Sequence, residues 1–173
     1  IDGNKSQMLV DVAGSAIYTI DSGKVNIKDG AKIANHKKVA NKRVYNLSAT
    51  ISTTTLDTIG GAAITIMNGS VNMYGGSIEG CEVNTATTTV SGTDKEISTA
   101  GGAVYNRGTF SMYGGSIEGS KGYFGGAVYN DEHVNLVAGT ISNSTATTYG
   151  GAVAASGAVT SQTFFGSDDE SKG

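Results

Sequence analysis

The 173-residue chain contains no proline, no tryptophan and a single cysteine, Cys81. One thiol excludes an intrachain disulfide and leaves the redox compartment open. No stretch approaches the roughly 18 consecutive apolar residues of a membrane-spanning helix, so no membrane insertion is expected of this chain. Charge is sparse, with 16% of residues ionic and a formal net charge of −3. That balance lacks the basic face a nucleic-acid binder needs. The two histidines, His36 and His133, stand far apart without patterned partners, so no metal site or other cofactor is expected. No G-x-S-x-G or triad pattern accompanies the many serines. At 38% apolar residues the composition is lean for a globular enzyme, yet 26 glycines suit a narrow structure with tight corners.

What the chain has in abundance is itself. GGAVYNRGTFSMYGGSIEGS, from Gly101 to Ser120, recurs as GGAVYNDEHVNLVAGTISNS from Gly125 to Ser144. Earlier copies run from Gly60 to Cys81 and from Gly14 to His36, and a fifth begins at Gly150 and fades. Gly101, Gly125 and Gly150 stand 24 and 25 residues apart. A period in the twenties marks units that stack on their neighbours instead of each building a core.

Within a unit the apolar residues alternate. Phe110, Met112 and Ile117 have counterparts in Val134, Leu136 and Ile141, in Val71, Met73 and Ile78, and in Val25, Ile27 and Ile33. Spacing by two with Asn, Ser or Thr between is a strand pattern. Two residues after the late isoleucine stand Asn35, Gly80, Gly119 and Asn143. Only the two residue types that most readily take positive φ occupy that column, which predicts a left-handed corner. Cys81 shares the following column with Ser120 and Ser144 and reads as a small corner residue. These features predict a coiled, parallel, all-β structure.

The motifs GGAVYN and GTFSMYGGSI, followed by I-x-[GN]-[NSC] and Thr-Ala, resemble the repeats of adhesin-like surface proteins from gut Gram-positive bacteria. The Gly-Gly-Ala-Val corner is also similar to repeats of the chlamydial polymorphic outer membrane proteins. The resemblance covers roughly Gly14 to Thr160 and is strongest over 101–151. It implies a right-handed parallel β-helix, a solenoid of about four to five coils of roughly 24 residues with two longer loop excursions. It also implies an exported protein tethered at the bacterial cell surface, with host glycans or host proteins such as immunoglobulin or mucin as partners.

The expected organisation is a lead-in or cap strand over 1–13, repeats over 14–165 with excursions at 36–59 and 82–99, and a polar tail over 166–173. The chain starts at Ile1 without methionine and is read as part of something longer, monomeric in itself, with signal and anchor elsewhere. Lys121 to Phe124 reads as a short connection between the two most regular coils.

Alternation points Tyr18, Tyr105 and Tyr129 outward in one column and Tyr74 and Tyr113 outward in another, as tyrosine ladders. A tyrosine offers a flat apolar face and a hydroxyl, which suits sugar rings and protein partners alike. Asn106 and Asn130 read as an inward amide ladder. The first excursion concentrates His36, Lys37, Lys38, Lys42 and Arg43 with no acid before Asp57, an anion-binding loop in one reading and a solvated edge in the other. Thr-rich segments fall in connections and not in stacked rows, against an ice-binding surface. Glu79 and Glu118 occupy equivalent positions and form the only carboxylate pair with glycosidase-like potential. The expected function is therefore an adhesin-like binding module and not an enzyme. A non-binding stalk and a polysaccharide lyase or hydrolase are the alternatives.

Overall fold

The computed structural model describes residues 1, 15–39, 60–84, 86–90, 93–97, 100–156 and 162–166. Lys42, Arg43, most of the 1–13 lead-in and nearly all of the 166–173 tail lie outside the described residues. The described residues form strands and no helix. The first repeat holds β1 (Ile17–Thr19), β2 (Lys24–Ile27), β3 (Lys32–Ala34) and β4 (Lys37–Val39). The second holds β5 (Ile64–Ile66), β6 (Ser70–Met73), β7 (Ser77–Glu79) and β8 (Glu82–Asn84). A hairpin follows, β9 (Ala86–Val90) with β10 (Thr93–Ile97), the one antiparallel pair among the described strands. The third repeat has β11 (Val104–Asn106), β12 (Thr109–Glu118) and β13 (Lys121–Phe124), and the fourth β14 (Val128–Asn130), β15 (His133–Ser142) and β16 (Thr145–Tyr149). The fifth contributes β17 (Val153–Ala155) and β18 (Gln162–Phe165).

Strands at the same place in successive repeats pair in parallel. The first sheet runs β1-β5-β11-β14-β17 and the second β18-β15-β12-β6-β2, with β7 along the far half of β12 and β3 along β7. The third runs β16-β13-β8-β4. This third sheet differs from the expected organisation. Residues 37–39 and 82–84 are strands of the repeat, not parts of excursions, and Lys121–Phe124 is a strand, not a connection.

The alternating apolar residues face one core. Val71, Met73, Ile78, Val104, Phe110, Met112, Ile117, Val128 and Val134 are all buried, and their registers superpose them repeat on repeat. Burial of such side chains contributes roughly 1.5–3 kcal/mol each, before the entropy of ordering the chain is counted. The left-handed corner expected at Asn35, Gly80, Gly119 and Asn143 is present, with φ of 57°, 58°, 62° and 51°.

The paired glycines divide their labour. Gly101, Gly125 and Gly150 take φ of 73°, 62° and 66°. Their successors lie under the next repeat: a Cβ on Gly126 would overlap the Gly151 carbonyl oxygen, and one on Gly102 the Gly126 carbonyl oxygen. Close approach lets the backbone ladder continue through the corner, as Ala63 N donates to Ala103 O at 3.0 Å and Ala103 N to Ala127 O at 2.9 Å. Buried corner amides are thereby satisfied.

Candidate functional site

Asn106 and Asn130 form the amide ladder inside the stack. Asn106 Nδ2 donates to Asn130 Oδ1 and to His133 O, both at 2.8 Å, and Gly108 N donates back to Asn106 Oδ1 at 3.2 Å. Both residues are fully buried, and the amides hold the turn between the first and second sheets. This is internal architecture and holds the outward faces in place.

On the second sheet, Met73 and Met112 point into the core and turn Tyr74 and Tyr113 outward. The two rings stack with centroids 5.3 Å apart and planes 12° from parallel. They remain 51% and 45% exposed, so ring edges and hydroxyls reach solvent. On the first sheet the expected Tyr18–Tyr105–Tyr129 ladder is interrupted. Register places Thr65 between Tyr18 and Tyr105, and Ala154 beyond Tyr129. Tyr105 stacks on Tyr129 at 5.7 Å and is only 3% exposed, so the expectation of an outward-presented ring is corrected there. Tyr18 is exposed but lacks a ring neighbour in its row. Burial, and then the nearby Asp131 charge, push the Tyr129 phenol above its usual pKa and keep it a neutral hydrogen-bonding group.

A larger aromatic cluster occupies the corner where the third sheet meets the first. Phe124 stacks on Tyr149 at 5.8 Å and 7°, meets Tyr129 at 6.2 Å and 44°, and packs edge-on against Tyr123 at 4.6 Å. Tyr149 is 68% exposed. Phe124, Tyr149 and Tyr123 stand in segments whose residues read as connections, with no strand alternation to place them. The position just before the Gly-Gly that opens the third, fourth and fifth repeats, held by Ala100, Phe124 and Tyr149, was the available signal.

The basic patch does not assemble from its described members. Lys37 pairs with Glu82 of the next repeat at 3.9 Å, and Lys121 stands on the other side of Glu82 in the same row. Lys38 is 2% exposed, its Nζ directed at Ser15 Oγ 3.5 Å away. Ser15 Oγ in turn lies 2.6 Å from both Thr65 Oγ1 and Gly61 O. Burial brings the Lys38 amine down from 10.5 to about 8. Two further ion pairs join consecutive repeats, Lys32 with Glu79 at 2.6 Å and Arg107 with Asp131 at 3.4 Å.

No protein-family model, curated protein or solved structure matches the chain. Glu79 and Glu118 are register partners, as their equivalent positions require. Glu79 is tied to Lys32 and accepts from Ser77 Oγ at 2.7 Å, and these contacts hold its carboxyl below the usual range. Glu118 accepts from Asn143 Nδ2 at 3.0 Å. A general acid in a glycosidase needs the opposite shift, so this geometry gives Glu79 a structural tie and not an acid's environment. Among the described residues no group of three or more His, Cys, Asp or Glu is placed to hold a metal, and no helix is long and apolar enough to cross a membrane. Cys81 is buried at its corner with its thiol 3.5 Å from Glu79 O.

Proposed function

We propose that the chain is a right-handed parallel β-helix serving as an adhesin-like binding module of an exported bacterial surface protein. It recognises a host glycan or a host protein, with immunoglobulin and mucin as the partners the resemblance favours. Support for the fold lies in the parallel pairing of equivalent strands across successive repeats in three sheets. One observation carries the binding reading: stacked aromatic side chains reach solvent on the outer faces, Tyr74 with Tyr113 both about half exposed, and Tyr149 exposed on a partly buried Phe124. Stacking fixes the rings in advance, so a partner meets an apolar ridge edged with hydroxyls at little entropic cost. The reading moves the binding surface away from Lys37 and Lys38, whose ammonium groups are paired or buried.

A stalk is the second reading. The same stacks and the three ion pairs all join consecutive repeats, which is how a stiff rod is held together. Binding of labelled protein to an array of mucin glycans, plant polysaccharides and host proteins separates the two. The module predicts a discrete signal that falls at least tenfold when Tyr74, Tyr113 and Tyr149 are all changed to Ala. A blank array from folded protein rejects the module and leaves the stalk.

A further inference from the structure

Three rows of the stack each hold one residue out of character, and the three meet. Two places before Ile17, Ile64, Val104, Val128 and Val153 stand Ser15, Ala62, Gly102, Gly126 and Gly151. Ser15 is the one polar side chain in that row. Thr65 interrupts the tyrosines of the first sheet. Lys38 is the one charged residue in the inward row of the third sheet, where Val83, Gly122 and Ala146 follow it. Duplication of a repeat accounts for none of the three, since each departs from its own row.

Their polar atoms converge at the corner between the first two repeats. Ser15 Oγ donates to Gly61 O at 2.6 Å and lies 2.6 Å from Thr65 Oγ1. Lys38 Nζ stands 3.5 Å from the same Ser15 Oγ. Gly60 leaves the room for this, because a Cβ there would overlap Thr65 Oγ1 and come within 2.9 Å of Lys38 Nζ. Thr65 and Lys38 are buried, whereas Ser15 is partly exposed in front of them. The titratable groups around the amine are His36 and Lys37 in its own segment and Glu82 on β8. Glu82 takes Lys37 on the outer face, and no ion pair among the described residues holds Lys38. Burial alone depresses this amine, so near pH 8 much of it is neutral and able to accept a proton. Two hydroxyls on the Gly61 carbonyl need no lysine, and a buried ammonium without a carboxylate destabilises the fold. A base set behind a partly exposed hydroxyl is the arrangement that activates a nucleophile.

We propose that Ser15 is an activated nucleophile, with Lys38 as its general base and Thr65 orienting its hydroxyl, and that it takes the acyl group of a small ester. The bond from Ser15 Oγ to the acyl carbon forms as the hydroxyl proton passes to the neutral Lys38 amine. The ester C–O bond then breaks, and the departing alkoxide takes that proton and leaves as an alcohol. Water attacks the acyl-serine in the same way: Lys38 accepts its proton and returns it to Ser15 Oγ as the carboxylic acid departs. This activity is separate from recognition by the aromatic rows and does not depend on it.

The test is labelling of the whole 173-residue protein with a fluorescent fluorophosphonate, with the modified residue located by mass spectrometry. Labelling is expected on Ser15, absent from Ser15→Ala, and slower by about a hundredfold or more in Lys38→Met. In the parent the rate should rise with pH and level off above about 8, a profile that Lys38→Met should lose. Hydrolysis of p-nitrophenyl acetate should fall in parallel in both variants. Circular dichroism checks each fold, and the mass-spectrometric assignment on the parent stands whether or not a variant folds. No labelling, labelling at another residue, or a folded Lys38→Met variant that reacts at the parent's rate overturns the proposal.

Discussion

Replacing Lys38 by methionine should stabilise this protein. The residue is 2% exposed, and its nearest polar contact among the described residues is Ser15 Oγ at 3.5 Å, too long to repay an ammonium's lost hydration. A folded-state pKa of about 8 against 10.5 corresponds to about 3 kcal/mol, since each unit is worth about 1.4 kcal/mol. The sign is the reverse of a lysine with a carboxylate partner. Because the folded pKa is depressed, the unfolded chain holds the extra proton between pH 8 and 10.5, and stability rises with pH through that window. Below pH 8 the full penalty is present, and above 10.5 it is gone. Lys38→Met keeps the aliphatic volume and removes the titrating group. At pH 7 it should raise stability by about 3 kcal/mol, on the order of 6–12 °C in Tm for a chain of this size. Thermal denaturation of both proteins from pH 6 to 11 is the assay. The two curves should converge above pH 10.5. A variant no more stable than the parent at pH 7, or a gap that stays constant with pH, would refute the reasoning.

Three other perturbations probe the stack. Asn106→Ala removes the amide that donates to Asn130 and His133, leaving buried acceptors unpaired; urea denaturation should show a loss of about 3 kcal/mol. Gly126→Ala puts a methyl group into the Gly151 carbonyl oxygen and should cost about 1–3 kcal/mol or more, whereas Gly30→Ala meets open space and should cost only the strain of its left-handed φ, about 1 kcal/mol. Tyr113→Ala removes an exposed stacked ring and should lower stability by only about 0.5–1.5 kcal/mol, which calorimetry can resolve.

The second sheet was legible because its signal is strong. Val71, Met73, Phe110 and Met112 alternate against polar neighbours, and their period of two admits a strand alone. The corner at Asn35, Gly80, Gly119 and Asn143 was legible because a left-handed backbone restricts residue type so severely. The third sheet was not. Its strands read KKV, EVN, KGYF and TATTY, and the row that turns inward holds Lys38, Val83, Gly122 and Ala146, four residue types with no shared hydropathy for alternation to show.

The candidate site followed the same division. Tyr74 and Tyr113 could be placed from the methionines beside them. The Phe124–Tyr149 stack could not, since it lies in the sheet whose strands carry no pattern. Lys38 and Lys37 look alike in a linear run of charge, yet they sit on opposite faces of β4. Alternation sends Lys37 to Glu82 and Lys38 into a niche beside Ser15 and Thr65. Sequence proximity made them one patch, and strand geometry separates them. Thr65 breaks the tyrosine row and instead places its hydroxyl 2.6 Å from Ser15 Oγ, a contact the linear sequence does not show.

Preformed aromatic rows on the outer faces are proposed to recognise a partner. The most direct measurement is calorimetric titration of the strongest array ligand into the parent protein and into the Tyr74→Ala, Tyr113→Ala, Tyr149→Ala variant, each checked for fold by circular dichroism. Saturable binding by the parent and at least a tenfold loss in the folded variant are the expected results. Equal affinity in both would contradict it.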